Sequence, residues 1–146
     1  MQFQKLFLIG LASIALSVAV STQLRAAPSK PHQIVVEVTS DSPESWEATL
    51  NNVENLAKAL GSATSIEVVA HGKGLAMLVL AKDASARDRL QRISEQGTVF
   101  AACQNTMRHQ NIKKEDLVPF AKTVDSGVAE VVRKQEAGWS YLKSGG

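Results

Sequence analysis

Short β-branched or apolar runs alternate along this chain with segments of helical periodicity, and this alternation constrains the fold more than any other feature. Residues 34–38 have the composition of a strand that is covered on both faces, and residues 65–70 and 98–102 are predicted to be two further strands. Residues 139–142 alternate bulky and small side chains, as a closing strand does. The pattern predicts an α/β three-layer sandwich, in which a mostly parallel sheet with right-handed crossovers has helices on both faces.

The segments between these strands carry signals for where helices begin and end. Ser42 is an N-cap in front of a first-turn proline, and Gly61 is a C-terminal stop. Apolar residues recur at helical spacing between these two positions. By the same criteria, further helices are predicted over residues 83–96, over residues 104–110, and between Ser126 and Gly138. A loop or a helical turn is expected over residues 113–119.

The run at residues 75–80 is ambiguous between a strand and a short buried helix. The glycine-containing segment before it and the Ala-Met-Leu sequence inside it favour a helix. The preceding His-Gly-Lys-Gly sequence at residues 71–74 is interpreted first as a turn. It lacks both the Walker spacing and the dinucleotide-binding fingerprint, so it does not predict a phosphate site.

The start of the chain has the pattern of a secretory signal peptide. Lys5 supplies a positive amino-terminal region, residues 6–20 are almost wholly apolar, and the small residues Ala26 and Ala27 follow. The apolar run is shorter than the roughly 20 residues of a membrane-spanning helix. We therefore expect cleavage and a periplasmic or secreted protein without a stable membrane anchor. The expected division is residues 1–27 signal peptide, 28–32 flexible lead-in, 33–143 folded domain and 144–146 tail.

The charge of the chain argues against nucleic acid as a partner. Sixteen lysines and arginines against 14 acids give a formal charge of +2. Two of the basic residues, Lys5 and Arg25, belong to the predicted signal peptide, which leaves 14 of each sign and a net charge of zero. With aromatic residues at 5%, the domain lacks the basic stripe and the stacking platform that nucleic-acid binding needs.

The single cysteine, Cys103, is the strongest candidate for chemistry. Exported proteins normally use cysteines in disulfide pairs, and a lone cysteine forms none within its chain. It falls at the carboxyl end of a predicted parallel strand, where ligands and reactive groups collect. A predicted helix begins directly after it, and the unpaired amides there favour a thiolate with a lowered pKa. The alternative is a small buried residue in an apolar stretch.

Candidate binding residues surround the cysteine in the predicted fold. His71, followed by Gly72, ends the preceding strand and opens onto the same sheet edge if the two strands are neighbours. No acid is obviously placed to orient the imidazole, so a turn residue is the simpler interpretation of His71. The other candidates follow the cysteine on its helix: Asn105, Thr106 and Arg108.

Neither a metal nor a cofactor is expected. A zinc site needs three or four ligands, and the candidates show no metal-binding spacing. These candidates are Cys103, His109, His71 and His32. A hydrolase is also disfavoured, because the chain has no recognisable nucleophile elbow or triad order.

Two segments resemble the DsrE/DsrF-like family. They are Phe-Ala-Ala-Cys-Gln-Asn-Thr-Met at residues 100–107 and the stretch from Ser-Gly-Val-Ala-Glu at residue 126 to Gly-Trp-Ser-Tyr at residue 141. By order of elements the resemblance extends over about residues 33–143. It implies a flavodoxin-like α/β sandwich that forms homo-oligomers. The sulfur-relay members carry sulfur as a persulfide on one cysteine, and Cys103 matches that position.

The resemblance implies an exported sulfur carrier, sulfur-relay or thiol-redox protein. Cys103 would accept, hold or pass on sulfane sulfur, with another protein as the sulfur donor or acceptor. The relay members of the family work in the cytoplasm, whereas this chain carries an export signal. The alternative is a non-catalytic module for small-ligand binding or oligomeric assembly, in which Cys103 only packs. A cysteine of that kind resists alkylation in the native protein.

Overall fold

The computed structural model describes residues 31–80 and 84–144, which contain five strands and four α-helices. The predicted signal peptide over residues 1–27 lies outside them. The strands are β1 (Gln33–Val38), β2 (Ser65–Ala70), β3 (Val99–Cys103), β4 (Lys122–Val124) and β5 (Ser140–Lys143). The α-helices are α1 (Pro43–Leu60), α2 (Ala84–Glu95), α3 (Gln104–Gln110) and α4 (Gly127–Glu136). Within this part, no helix has the length and apolar character to cross a bilayer.

The strands form one parallel sheet in the order β4-β3-β2-β1-β5, as the alternating pattern predicts. The first three crossovers step in one direction across the sheet, and the last returns from β4 to the far edge. Because crossovers keep one hand, reversing the direction puts the connecting helix on the opposite face. Helices α1, α2 and α3 therefore cover one face and α4 covers the other.

The two faces of the sheet have cores of very different size. On the face of α1, alternate strand residues such as Val36, Val68 and Phe100 pack against the buried side chains of three α-helices. On the α4 side, Val131 closes a small cluster. That cluster comprises Val35, Val69, Ala101 and Val131, with Val124 and Trp139 against it. Odd-numbered residues of β1, β2 and β3 thus face α4, because side chains alternate along a strand.

The structure confirms the helix caps that the sequence predicts. The side chain of Ser42 caps α1 by accepting the backbone N–H of Ser45 at 3.2 Å. Asn111 ends α3 in the left-handed conformation, with φ 52°, as its tolerance of that region predicts. Ser126 caps α4 by accepting the N–H of Ala129.

Other local features differ from the prediction. Strand β4 was not predicted, and residues 71–74 are not a simple turn, because a 3-10 helix runs over Gly72–Leu78. Gly74 is buried in it, and a Cβ there would lie 2.2 Å from the carbonyl oxygen of Val38. A glycine is needed for this close approach. By contrast, the second 3-10 turn, Lys114–Asp116, agrees with the loop or helical turn predicted over residues 113–119.

The ends of the domain show two further differences. Ser144, which the sequence places in the tail, is 2% exposed. Its hydroxyl accepts a hydrogen bond from the side chain of Asn52 at 3.0 Å. In α4, Val131 is buried, but the other two valines of the predicted apolar pattern, Val128 and Val132, are 57% and 47% exposed.

Candidate functional site

Cys103 is both the last residue of β3 and the N-cap of α3. Its Sγ accepts a hydrogen bond from the backbone N–H of Thr106 at 3.4 Å. The strand was predicted to end one residue earlier, so the cysteine itself makes the junction. A side chain at an N-cap faces the unpaired amides of the first helical turn, and a sulfur there is surrounded by donors.

Cys103 lies where two neighbouring strands connect to helices on opposite faces of the sheet. Cys103 pairs with Val124, the last residue of β4. After β3 the chain turns into α3 on one face, where Met107 joins the larger core. After β4 it turns into α4 on the other face. Adjacent strands whose connections leave to opposite faces form the crevice in which open α/β sheets bind ligands.

Helix α4 contributes a further donor to the thiol. Burial raises the pKa of the Cys103 thiol, but four hydrogen-bond donors outweigh it and lower the pKa below its usual value. The donors are the hydroxyl of Thr106 and the backbone N–H groups of Thr106, Gly127 and Asn105. Because Gly127 begins α4, donors from two helices converge on one sulfur atom. This arrangement favours an anionic sulfur.

Gly72 orients the Thr106 hydroxyl. Its backbone N–H donates to Thr106 Oγ1 at 2.9 Å, and its carbonyl accepts from the side chain of Gln110 at 3.0 Å. The hydroxyl keeps its proton for donation, and its hydrogen bond to Cys103 lowers the pKa of the thiol. The 3-10 helix after β2 is thereby tied to α3, and of these two predicted binding residues Thr106 contacts the thiol while Gly72 contacts Thr106.

Asn105 and Arg108 occupy different positions relative to the thiol. The backbone N–H of Asn105 donates to the carbonyl of Asp125 at 3.3 Å, joining α3 to the turn before α4. The exposed Asn105 side chain accepts from Arg108. Arg108 is therefore held by its neighbour one turn away, and the donors to the sulfur are other groups.

His71 has an acidic partner that the sequence did not indicate. Its Nε2 lies 2.8 Å from Oε1 of Glu37 on β1. The other carboxylate oxygen of Glu37 accepts the hydroxyl of Tyr141 on β5. The expectation that no acid is placed to orient the imidazole is wrong, because Glu37 is 34 positions away in sequence and adjacent only across the sheet.

The thiol lies below the surface. Cys103 is 4% exposed, but it belongs to neither hydrophobic cluster. Two residues whose backbone lies near it, Gly72 and Asp125, are exposed. The sulfur is thus buried among hydrogen-bond donors and not in a hydrophobic core. A reagent reaches it only when these neighbours move.

The residues missed at this site are Glu37, Tyr141 and Gly127. A weak signal existed for Glu37, since a lone acid in an otherwise apolar, doubly covered strand needs a partner. Gly127 follows an N-cap serine, where the sequence gives no reason for a glycine. In the structure, the His71 side chain fills the space that a Cβ on Gly127 would take.

Two other observations bear on ligands. Within residues 31–80 and 84–144, no three His, Cys, Asp or Glu side chains come together as a metal site requires. A cavity of about 520 Å³ lies at the amino end of β1 and β5, at the opposite edge of the sheet from Cys103. Its apolar lining includes Leu56 and Leu60 of α1.

Comparison with known proteins gives one family and several similar structures. A model described as the DsrE/DsrF-like family matches residues 33–144. A protein of unknown function, MTH1491 from Methanobacterium thermoautotrophicum, is 32% identical with a TM-score of 0.72, and the match covers 77% of this chain and 98% of that one. No curated protein matches.

Two more distant structures share the fold. BT1422 from Bacteroides thetaiotaomicron, a conserved protein of unknown function, is 14% identical with a TM-score of 0.61 over 80% of this chain and 98% of that chain. The ychN protein from E. coli is 11% identical with a TM-score of 0.61 over 78% and 99%. At this identity the likeness supports the flavodoxin-like α/β architecture alone.

Proposed function

The chain belongs to the DsrE/DsrF-like family, and from that membership we propose that it is an exported sulfur carrier whose Cys103 holds sulfane sulfur as a persulfide. The observation that carries the proposal is the set of donors at Cys103, which lowers the thiol pKa despite burial. A thiolate is the nucleophile of sulfur chemistry, and the same donors stabilise a terminal persulfide anion. Family membership alone supports sulfur relay or a related function.

The proposed reaction transfers one neutral sulfur atom. The Cys103 thiolate attacks the outer sulfur of a donor such as thiosulfate and forms a new S–S bond. The S–S bond of the donor breaks, and sulfite leaves with its electron pair. Cys103 then carries a persulfide anion, which a thiolate acceptor attacks in the reverse sense. No external oxidant or reductant takes part.

The test is intact-mass spectrometry of the purified protein after treatment with thiosulfate or polysulfide. We expect the mass to rise by one sulfur atom, and cyanide to remove that atom as thiocyanate. Because the chain has a single cysteine, Cys103→Ser is a complete negative control. An unchanged mass with both donors would eliminate the sulfur-carrier proposal.

We also propose a compartment, a partner and an oligomeric state for the carrier. The amino-terminal pattern supports export to the periplasm, with a protein sulfur donor or acceptor there. A homo-oligomer is proposed through the outer side of α4, where Val128 and Val132 are exposed one turn apart. Intact mass of the protein isolated from its own compartment tests cleavage. Sedimentation of Val128→Glu against the wild type tests the assembly, for which we expect a smaller particle.

The burial of Cys103 favours one rival function, a non-catalytic module in which the cysteine packs. In that case a small ligand would occupy the cavity at the opposite edge of the sheet, lined in part by Leu56 and Leu60. The rival predicts that alkylation of Cys103 requires global unfolding. The sulfur carrier predicts alkylation through a local opening.

Denaturant dependence separates these two functions. The rate of iodoacetamide reaction is measured in the native baseline, in the wild type and in Leu90→Ala. Leu90 is a core residue on α2, 1% exposed, whose truncation costs about 2–5 kcal/mol. A carrier reacts at a rate that neither denaturant nor this variant changes. A rate that rises with denaturant along the unfolding slope and with Leu90→Ala supports the rival.

A further inference from the structure

A hydrogen-bonded chain of three side chains crosses the carboxyl edge of the sheet beside the thiol. Glu37 lies at its centre, with Oε1 at 2.8 Å from His71 Nε2 and Oε2 accepting the hydroxyl of Tyr141. The three residues come from β1, β5 and the position directly after β2. The side chains of Glu37 and His71 are 17% and 16% exposed, so this pair is largely shielded from water, whereas Tyr141 is 42% exposed.

The strand periodicity places this network on the same side of the sheet as the sulfur. Residues two positions apart on a strand point the same way. Val69 and Ala101 face α4, so His71 and Cys103, two positions further on, face it too. The register joins them, because Ala70 pairs with Ala102 and these two residues follow directly.

Gly127 connects the imidazole with the thiol. Its backbone N–H is one of the donors to the Cys103 sulfur. A Cβ on Gly127 would meet the Cβ, Cγ and Cδ2 of His71 at 2.7, 3.0 and 3.1 Å. The carbon edge of the imidazole therefore lies against the residue that donates to the sulfur.

The partners of Glu37 determine the protonation pattern of the ring. Burial raises the pKa of Glu37, but hydrogen bonds from Tyr141 and His71 outweigh it and lower the pKa. Glu37 is thus a carboxylate at neutral pH and only accepts hydrogen bonds. The hydrogen at the contact belongs to His71 Nε2, which leaves Nδ1 as the ring nitrogen that exchanges protons. A buried carboxylate that fixes a histidine tautomer has the same part in catalytic triads.

We propose that His71 is the acid–base catalyst of Cys103, that Glu37 and Tyr141 position it, and that the sulfur donor is an organic persulfide. This inference rests on the proposed sulfur-carrier function. The Cys103 proton passes to His71 Nδ1, and the resulting thiolate attacks the outer sulfur of the donor. The donor S–S bond breaks, the departing thiolate keeps the electron pair, and His71 returns the proton to it. Cys103 keeps the sulfur, and the donor leaves as a thiol.

The choice of donor follows from the leaving group. An alkyl thiolate is basic and departs more readily when a positioned acid protonates it. Sulfite is a weak base and needs little such help. Of the ionisable groups near this site, Glu37 from β1 contacts the ring, and Tyr141 and Lys143 from β5 act on Glu37. Cys103 ends the neighbouring strand β3, and α4 presents the backbone of Gly127.

The first experiment measures sulfur transfer to Cys103 from glutathione persulfide and from thiosulfate between pH 5 and 9. His71→Asn is expected to slow transfer from the organic persulfide about a hundredfold, and transfer from thiosulfate much less. Tyr141→Phe gives a smaller loss of the same kind. His109→Asn, exposed in the last turn of α3, is the control. Equal rates in His71→Asn and the wild type with both donors would overturn the inference.

The second experiment keeps the inference separate from the sulfur-carrier proposal. The pH profile of iodoacetamide alkylation is recorded for the wild type, His71→Asn and Glu37→Gln. We expect the midpoint to move to higher pH in both variants, whether or not sulfur is ever accepted. If the wild type takes no sulfur but the midpoint moves, only the carrier function and the donor class fail. An unchanged midpoint refutes the role of His71.

The third experiment tests the hydrogen bond between Tyr141 and Glu37 through the pKa of Tyr141. Tyr141 is the single tyrosine of the chain, so tyrosinate absorbance reports it alone. Its hydrogen bond to Glu37 raises the pKa of Tyr141 to about 12. A rapid pH jump records ionisation before unfolding, and Glu37→Gln is expected to bring the midpoint back towards 10. The same midpoint in both proteins would remove Glu37 and Tyr141 from the proposal.

Discussion

Gly127 leaves so little space beside His71 that a single added methyl group would come within 2.7 Å of the histidine Cβ. The contact joins the start of α4 to the end of β2. Since the Gly127 amide also donates to Cys103, the position of α4 and the ionisation of the thiol depend on the same residue.

Substitution of Gly127 by alanine is expected to disturb both properties. Overpacking of this size costs about 1–3 kcal/mol in the free energy of unfolding. As α4 or His71 shifts, the amide moves away from the sulfur and the thiol pKa rises. Urea unfolding and the pH profile of alkylation measure the two effects. Glu136→Ala, at an exposed position of the same helix, is the control, and neither change is expected there. A Gly127→Ala variant with wild-type stability and alkylation profile would contradict the packing described.

Thr106 is expected to contribute to the thiol through its hydroxyl. Thr106→Val keeps the shape of the side chain but removes the donor to Cys103 and the acceptor of the Gly72 N–H. We expect a higher thiol pKa and a loss of about 1–2 kcal/mol, because an amide is left without its partner. Thr106→Ser retains the hydroxyl and is the matched control. Thiolate absorbance against pH measures the shift, and identical curves for the two variants would exclude the hydroxyl as a donor.

Glu37 is expected to make stability depend on pH at the acid end. Its folded pKa is below its unfolded value, so the group stabilises the protein above the unfolded pKa, near 4.3. This contribution is lost as pH falls through the folded pKa. Glu37→Gln should therefore be less stable than the wild type by about 1–2 kcal/mol at neutral pH, with the two curves converging in acid. A constant difference from pH 7 to pH 3 would count against the hydrogen-bonded carboxylate.

The parts of the fold that follow from local signals were predicted, and those that depend on distant partners were not. Strand β2 and helix α3 begin and end as predicted because composition, caps and stops lie within them. Strand β4 has only three residues, too few for a pattern, and it exists because β3 offers an edge. The 3-10 helix after His71 depends on the carbonyl of Val38, against which Gly74 packs.

The residues of the candidate site also fall into those predicted from local sequence and those that only the tertiary structure brings together. Cys103, Thr106 and Asn105 are consecutive or nearly so, and the strand-to-helix junction that unites them is visible in the sequence. Glu37 and Tyr141 come from the two ends of the domain, 104 positions apart. Only the sheet order, with β5 beside β1, brings them together.

Gly72 and Gly74 are expected to respond differently to alanine. Gly74→Ala would place a Cβ 2.2 Å from the main-chain oxygen of Val38, which has no room to move aside. We expect a loss of about 3 kcal/mol or more. At Gly72 a Cβ meets nothing within 4 Å, and the cost is only that of its φ of +55°, about 1–2 kcal/mol. Chemical denaturation of both variants gives the comparison, and equal losses would contradict it.

The ion pair beneath α4 yields a last prediction. Lys134 Nζ lies 2.7 Å from Oε2 of Glu67, whose side chain is 8% exposed, and 4.1 Å from the centre of the Trp139 ring. The other oxygen of Glu67 has no partner within the described part of the chain. Removing the lysine leaves a buried carboxylate without its cation, so Lys134→Met is expected to cost about 3–5 kcal/mol.

Two further variants test the cause of that loss. The double variant Glu67→Met/Lys134→Met lacks both charged side chains. Most of the stability should return in it, because well-packed apolar side chains replace a buried ion pair at little cost. Arg133, on the same helix, pairs with the exposed Asp125, and Arg133→Met should cost less than about 1 kcal/mol. Thermal unfolding of the four proteins gives the answer. If the double variant were no more stable than Lys134→Met, lost packing around the lysine stem would account for the effect, and the stranded carboxylate would not.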